Sequence, residues 1–96
     1  MVHDIVVNKD MADSISKHDY VLSFESDPDV DDLRPHDYVR FIFEDGDYGK
    51  YLFGYMVTDV INSDNSEAIK AGWTVICVRP VVYPDYIIRR LIHEKN

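Results

Sequence analysis

The chain has 96 residues, of which 46% are apolar and 29% charged, so its composition fits one globular domain with a single core. Ten Lys and Arg against eighteen Asp and Glu give a net charge of −8, which argues against binding nucleic acid by general phosphate attraction. The lone Cys77 excludes an internal disulfide and a multi-thiolate zinc site, and no apolar run approaches the ~20 residues that cross a membrane. The first residues have no cationic and apolar segments of a secretory signal, so we expect a cytoplasmic protein with no membrane partner.

The first half of the chain predicts a strand, a helix and two further strands. Apolar residues with period two indicate a strand over 2–7, and Asn8 then suits the N-cap of a short helix reaching about Lys17. The alternation of Tyr20, Leu22 and Phe24 with more polar residues predicts a half-buried strand over 20–25. A polar loop is expected over 26–32, followed by a strand over 38–44.

The second half predicts a hairpin, a long strand, a final strand and a helix. Asp45-Gly46-Asp47 is a hairpin turn signal, since Asp-Gly tolerates positive φ. In the strand expected over 50–61, Gly54 predicts a bulge or bend. One face of that strand is predicted to carry four residues: Tyr51, Phe53, Tyr55 and Val57.

The polar connection over 62–70 is expected to hold one helical turn at 66–70. Both sets of alternating residues in the strand over 73–78 are mostly apolar, so both of its faces are expected to be covered. Pro84 suits the first residue of a helix that reaches residue 95. That helix is predicted to have an apolar side made of five residues: Tyr86, Ile87, Ile88, Leu91 and Ile92.

This order of elements predicts an α+β fold: a small mixed β-barrel or curled sheet of about five strands with helices at its rim. The whole chain, 1–96, is expected to be one domain. Residues 2–79 would form the barrel and residues 84–95 the C-terminal helix.

Negative charge is concentrated in one part of the sequence. Between Glu25 and Asp47 there are nine acids and two arginines, so this segment carries −7 of the total −8. One interpretation is two solvated loops that keep the protein soluble; the other is an acidic patch that recognises a basic protein surface. The acids that would serve the second interpretation are Asp27, Asp29, Asp31, Asp32, Asp45 and Asp47.

Other patterns predict neither a metal site nor a catalytic site. An EF-hand loop starting at Asp27 would need Gly at its sixth position and an acid at its twelfth, which are Asp32 and Tyr38 here. The four histidines are scattered, and Cys77 lies mid-strand, where a buried apolar role is expected. We therefore expect no metal and no cofactor.

Tyr48, Tyr51 and Tyr55 flank the hairpin and are candidates for an exposed stacking platform. Phe41, Phe43 and Phe53 instead alternate along their strands as core residues do.

Four short segments form a further pattern: Ser16-Lys17-His18-Asp19-Tyr20-Val21-Leu22-Ser23, Pro35-His36-Asp37-Tyr38-Val39, Gly54 with Val57-Thr58 and Val60, and Gly72-Trp73-Thr74-Val75-Ile76. In this order they resemble the ASCH domain of the PUA-like superfamily, especially its small bacterial and phage versions, over about residues 3–79. The family's first segment reads Gly-Lys-Lys-Thr-aromatic-Glu-aliphatic-Arg. Lys17, Tyr20 and Leu22 match it, whereas Val21 and Ser23 replace the Glu and Arg.

The resemblance implies a non-catalytic domain that binds RNA or a nucleotide-like ligand in a cleft beside the strand after the first helix. In that cleft Lys17 would meet a phosphate, Tyr20 or Trp73 would stack on a base, and Ser23 would hydrogen-bond a base edge, with Arg40 as a further cation. Two alternatives stay open: a phage-type regulator or inhibitor that binds proteins through its Asp-rich loops, and an amidohydrolase acting on an N-acylated nucleoside. A cleft with positive charge would favour RNA, and a negative surface would favour a protein partner.

Overall fold

The computed structural model describes residues 2–46 and 48–94, so Asp47 and Lys95 lie outside the described residues. Its eight elements are β1 (Val2–Val6), α1 (Lys9–Ser16), β2 (Val21–Glu25), α2 (Pro28–Asp31), β3 (Tyr38–Asp45), β4 (Tyr48–Asn62), β5 (Trp73–Pro80) and α3 (Asp85–Glu94). The strands form one mixed sheet in the order β1-β3-β4-β5-β2, curled into a half-barrel, with β1 parallel to β3 and the other neighbours antiparallel. The predicted α+β class and five strands are confirmed, and β1 and β2 are the two edges of the sheet.

Helix α1 begins where the sequence predicts. The Asn8 side-chain oxygen accepts a hydrogen bond from the Met11 backbone N–H at 2.8 Å, which satisfies one of the donors that a helix start leaves unpaired. Ala12 and Ile15, one turn apart, are buried against the sheet. The side of the sheet that they cover is called the core face, and it carries the buried residues Leu22, Val39, Phe41, Val57 and Ile76.

Segment 26–32 holds a short helix, so the predicted polar loop is wrong. The Asp27 carboxylate accepts hydrogen bonds from the backbone N–H groups of Asp29 and Val30, and Pro28 occupies the first turn. Val30 and the following Leu33 are buried in the main core. Val30, the buried residue of α2, therefore anchors this helix to the main core.

Strand β4 contains the bulge that Gly54 predicts. Val39 pairs with Tyr55 whereas Phe41 pairs with Leu52, so β4 has one residue more than β3 over this stretch. The extra residue reverses the alternation: Leu52 and Tyr55 both pack against the core, and Phe53 turns to the opposite side, called the outer face. The prediction that Tyr51, Phe53, Tyr55 and Val57 share one face is therefore wrong.

Helix α3 covers one end of the outer face. Tyr83, Ile87 and Leu91 are buried there against Val2, Tyr38 and Val81. Three residues of the predicted apolar side are instead exposed, because one face of a helix cannot bury so wide an arc: Tyr86, Ile88 and Ile92.

The outer face is also incompletely covered along β5. Trp73 is exposed, and Val75 and Cys77 are half-buried, which corrects the expectation that both faces of this strand are covered. Segment 66–70 forms turns in place of the predicted helical turn, with the Ile69 N–H donating to the Ser66 carbonyl at 3.3 Å. Within 2–46 and 48–94, no helix has the length and apolar character needed to span a membrane.

Candidate functional site

An apolar groove of about 350 Å³ lies between α3 and the outer face of β4. Its walls are six residues: Phe53, Gly54, Tyr83, Ile88, Leu91 and Ile92. Phe53, Ile88 and Ile92 are 42%, 38% and 57% exposed, so large apolar side chains on both walls face solvent. An exposed apolar patch on a small domain is typical of a contact surface.

The groove is held in shape by bonds between β4 and the segment leading into α3. The Val81 N–H donates to the Gly54 carbonyl at 2.7 Å, and the buried Tyr83 hydroxyl donates to the Val39 carbonyl of β3. The Tyr83 and Tyr38 rings also pack in a T-shaped arrangement, with 5.6 Å between ring centroids. These contacts place α3 beside the bulge rather than over it, which leaves the groove open.

The outer face next to the groove carries two aromatic rings and one arginine. Tyr51 and Phe53 lie with ring centroids 5.8 Å apart, and the Arg40 guanidinium carbon is 4.8 Å and 5.7 Å from the two centroids. Arg40 also forms a bidentate ion pair with Asp4, at 2.6 Å and 2.7 Å, across the parallel β1–β3 register. The cation beside the exposed rings is thus neutralised by the protein's own carboxylate.

A second ion-pair cluster joins the hairpin to the start of α1. Asp45 accepts a hydrogen bond from Lys50 Nζ at 2.8 Å and lies 3.4 Å from Lys9 Nζ. The pKa of Asp45 is lowered from its ordinary value. The largest cause is the hydrogen bond from Lys50, followed by the positive charge of Lys50 and then by Lys9. Asp45, predicted as a partner-binding acid, therefore already has two cations of this chain as its partners.

Replacing Lys50 with alanine is expected to raise the pKa of Asp45 toward the ordinary aspartate value, because its largest cause of lowering is removed. Since the folded-state pKa is the lower one, the stabilisation by this cluster is complete above the unfolded-state pKa and is lost as pH falls through the folded-state pKa. An NMR titration of the Asp45 carboxyl carbon measures the change. Lys17→Ala is the matched control and is expected to leave the Asp45 titration in place; an equal shift in both variants would contradict the assignment.

The acids of α2 divide into those with structural partners and those facing solvent. Asp27 caps the helix, and the carboxylate of Asp31 accepts a hydrogen bond from the buried Thr74 hydroxyl at 3.3 Å. Asp29 and Asp32 are exposed, and their carboxylates have no hydrogen bond or ion pair within the part of the chain that the structure describes. Asp29 in α2 and Asp32 directly after it are therefore carboxylates available to another molecule.

A polar cavity of about 350 Å³ lies beside α2, between Asp31, Arg34, Asn62, Asn65 and Thr74. Its polar groups serve the local turns. The Asn65 side chain accepts from the Asn62 N–H and donates to the Val60 carbonyl, and Arg34 Nη1 donates to the carbonyls of Asp31 and Leu33. The side chains of Asn65 and Arg34 in this cavity are therefore engaged in holding the surrounding loops together.

The five residues predicted to bind RNA lie on two sides of the sheet. Lys17 is exposed at the end of α1, and Tyr20 is half-buried on the core face, where its hydroxyl is 2.7 Å from His18 Nδ1. Ser23 and Trp73 lie on the outer face of β2 and β5, and Arg40 lies on the outer face of β3. The structure does not bring these residues together in one cleft.

The junction between α1 and β2, where the cleft was expected, holds a shallow cavity of about 300 Å³. It includes Ser23, and its ionisable lining residues are the acids Asp10 and Asp19. Lys17 lines neither this cavity nor the two described above. The pocket that an amidohydrolase would need, with Lys17 beside a hydroxyl and a carboxylate, is thus not one of these three cavities.

Cys77 is half-buried on the outer face of β5. Desolvation, and then the negative charge of Asp59, raise the pKa of its thiol above the ordinary value. A raised pKa keeps the sulfur protonated and weakly nucleophilic. Within residues 2–46 and 48–94, no three His, Cys, Asp or Glu side chains are grouped as metal ligands.

The apolar groove is the feature that sequence reasoning missed. Its signal was present in α3, where five apolar residues span a wider arc than a ten-residue helix can bury on one sheet. No sequence pattern predicts the exposure of Phe53, because it results from the one-residue shift in the pairing of β3 with β4 at the bulge. Of the three tyrosines predicted as a platform, Tyr51 is exposed, Tyr55 packs against the core, and the Tyr48 side chain lies outside the described residues.

Comparison with known proteins returned neither a matching family model nor a matching curated sequence.

Proposed function

We propose that this chain is a protein-interaction domain that binds a basic partner protein. The observation that carries the proposal is the distribution of ion pairs. Arg40, Lys9 and Lys50 are held by carboxylates of the same chain, whereas Asp29 in α2 and Asp32 directly after it face solvent. Lys17, Lys70, Arg79, Arg89 and Arg90 are exposed as well, but exposed carboxylates outnumber exposed Lys and Arg among the described residues. The surface available to a partner is therefore mainly negative, in keeping with the net charge of −8.

A net charge of this size acts on an approaching partner before contact. At physiological salt the field of the exposed carboxylates reaches about 8 Å, which is enough to steer a basic surface and to speed its association. Each exposed carboxylate contributes little affinity alone, so the charge sets which partner approaches more than how tightly it binds.

RNA or a nucleotide-like ligand is the second candidate, and the exposed Tyr51 and Phe53 rings favour it. Aromatic side chains on an open sheet face are the usual platform on which bases of single-stranded RNA stack. An ASCH or PUA-like origin of the fold would agree with such a role. Against it, the Arg40 guanidinium already lies over both rings, and its charge is engaged by Asp4.

One titration distinguishes the two candidates. The ¹⁵N-labelled protein is titrated with a short peptide of alternating Lys and Ser, and separately with a short single-stranded RNA, at low salt and at ~0.15 M salt. We expect the peptide to shift the amide signals of Asp29 and Asp32, with an affinity that falls as salt rises, and the RNA to leave the spectrum unchanged.

Asp29→Lys/Asp32→Lys is expected to weaken peptide binding roughly tenfold. Asp64→Lys/Glu67→Lys is the matched control, since it changes the net charge equally on the exposed β4–β5 connection. Equal loss in both variants would reduce the effect to net charge and contradict a site on α2. RNA binding in the micromolar range that shifts the amide signals of Tyr51 and Phe53 would contradict the proposal and favour RNA as the ligand.

A further inference from the structure

We propose that the open edge of β2, formed by Val21–Glu25, binds an extended segment of the partner protein, which adds to the sheet as a further strand and carries Lys or Arg at both of its ends. The basic character of this segment rests on the proposed function. The strand addition itself is argued from the backbone of β2, independently of the charges on α2.

The backbone of β2 has three residues that face away from the sheet. In an antiparallel pair, alternate residues turn their N–H and C=O groups toward the neighbouring strand, and the residues between them turn these groups away. The Tyr20 carbonyl accepts from the Val78 N–H at 2.9 Å, and the Ser26 N–H donates to the Gly72 carbonyl at 2.9 Å, so the even-numbered residues of β2 face β5. The residues whose backbone polar groups point outward are therefore Val21, Ser23 and Glu25.

These outward groups are accessible. Val21, Ser23 and Glu25 are exposed, and within residues 2–46 and 48–94 one polar contact reaches their backbone, from the Asp19 carboxylate to the Val21 N–H at 3.5 Å. Lys, Pro and bulges are common means by which a sheet edge repels another strand. β2 contains neither Lys nor Pro, and it pairs with β5 without a shift along its whole length. The other edge, β1, is partly covered, since α2 contacts it and Val2 packs against α3.

The space beside this edge fits a strand. The shallow cavity of about 300 Å³ at the junction between α1 and β2 is lined by Met11 and Ser14 of α1 and by residues of β2. A strand added at the usual ~4.8 Å from β2 lies along this cavity, with alternate side chains toward α1 and the others beside the exposed Val21. An extended backbone satisfies the outward donors and acceptors of β2, whereas a helix has already paired its own and cannot.

Carboxylates lie at both ends of the open edge. Asp19 precedes β2 and lines the cavity together with Asp10, and these two are its ionisable lining residues. Glu25 ends the strand, and Asp27 follows two residues later at the start of α2. A segment with a cation at each end therefore meets opposite charge at both ends, and such cross-strand pairs stabilise strand pairing.

The exposed cations near β2 lie farther from the added strand than these carboxylates do. Lys70 and Arg79 lie on the β5 side of β2. An added strand is two strand spacings, roughly 10 Å, from β5 but one spacing from β2, and charges are screened over about 8 Å at physiological salt. Lys17 is exposed at the end of α1 and does not line the cavity.

A second copy of this chain fits the open edge less well than a basic segment. Two copies of β2 related by a two-fold axis through Ser23 would pair antiparallel, which sets Asp19 of one copy opposite Asp27 of the other at both ends. Sliding the copies by one hydrogen-bonding step in either direction places Asp19 opposite Glu25 or Asp29 instead. Every such register opposes like charges, which destabilises a strand pair.

Hydrogen exchange of the ¹⁵N-labelled full chain tests the strand addition directly. The probe is a short peptide in which Thr and Val alternate between a Lys at each end. We expect the amides of Ser23 and Glu25 to exchange at least about tenfold more slowly when the peptide is saturating, because each then donates to the added strand. The amides of Leu22 and Phe24 face β5 and are the internal control, slow with and without peptide.

Two N-methylated forms of the peptide distinguish strand addition from side-chain contacts. One form is methylated on the backbone nitrogens of its Val residues and the other on those of its Thr residues, so each lacks the donors along one edge of the peptide. We expect one form to bind at least about tenfold more weakly than the parent peptide and the other to bind as the parent does. Equal affinity of the two forms overturns the strand addition.

Ser23→Pro is expected to weaken peptide binding about tenfold or more, because it removes the central outward N–H and places a ring in the path of the added strand. Proline is tolerated at edge positions whose N–H faces solvent. Ser23→Thr keeps the N–H and is the matched control, expected to bind as the parent does. Circular dichroism verifies the fold of each variant, and if Ser23→Pro fails to fold, the N-methylated peptides decide the question with the unaltered chain.

The remaining outcomes separate this proposal from the proposed function. If N-methylation has no effect but the Lys-Ser peptide still shifts Asp29 and Asp32, the proposed function survives without the open edge. Conversely, protection of Ser23 and Glu25 with no response to the Lys-Ser peptide supports strand addition and contradicts the basic-partner assignment on α2. Equal binding of a probe with Glu at both ends overturns the basic ends of the segment. A concentration-dependent dimer that Ser23→Pro abolishes would make a second copy the occupant and overturn the proposal.

Discussion

Gly54→Ala is expected to destabilise the protein by about 2–3 kcal/mol, which is large for a single added methyl group. Gly54 has φ of +84°, a conformation that side-chain-bearing residues rarely adopt. A Cβ there would lie 3.0 Å from the Val81 carbonyl oxygen, which is backbone and cannot swing aside. The substitution therefore adds both backbone strain and a steric clash at the bulge.

Gly49→Ala is the matched control in the same strand. Gly49 does not have positive φ, and a Cβ at this position meets no atom within 4 Å. Alanine restricts the unfolded chain more than glycine does, so this variant is expected to be as stable as the parent or more stable by up to about 1 kcal/mol. Urea unfolding of both variants and the parent gives the comparison. Equal stability of the two variants would mean that the bulge accepts a side chain at position 54 and does not require glycine there.

The Gly54 substitution also reports on the groove. The Gly54 carbonyl accepts the hydrogen bond from Val81, and the residue forms part of the groove floor. Any relief of the clash must move the segment that leads into α3. Methyl signals of Ile88 and Ile92 should therefore shift in Gly54→Ala and remain in place in Gly49→Ala.

Local features of the fold could be predicted because their causes lie within a few residues. The Asn8 cap needs only the Met11 N–H, and the hairpin pairing of Asp45 with Tyr48 needs only a glycine that accepts positive φ at position 46. Helix α2 was missed for the opposite reason. Its backbone bonds are local, but its stability depends on Val30 being buried in a core made by distant strands.

The candidate site could not be predicted because it depends on contacts between distant residues. The sequence of β4 predicts the bulge at Gly54. The pattern of one strand does not reveal which of two paired strands contains the extra residue, so it could not predict that Phe53 lies on the outer face. Asp4 and Arg40 are 36 residues apart and meet only because β1 pairs in parallel with β3. Periodicity likewise gives the width of the apolar arc of α3 but not which part of it the sheet covers.

Ile87→Ala and Ile92→Ala, the same substitution on two sides of α3, are expected to have very different effects. Ile87 is 1% exposed and lies on the buried side of α3. Its truncation should therefore lower the free energy of unfolding by about 2–5 kcal/mol, through lost burial and an unfilled cavity. That loss is a large fraction of the about 5–15 kcal/mol that stabilises a domain of this kind. Urea unfolding followed by far-ultraviolet circular dichroism measures it.

Ile92 is 57% exposed, and its truncation should change the free energy of unfolding by no more than about 0.5 kcal/mol. Alanine also favours the helix slightly more than isoleucine, which offsets the small loss of packing. A destabilisation by Ile92→Ala similar to that of Ile87→Ala would show that Ile92 belongs to the core, and the groove would then have no solvent-facing apolar wall at this position. A large difference between the two variants means that the fold does not need Ile92, so the apolar character of this position is available for binding.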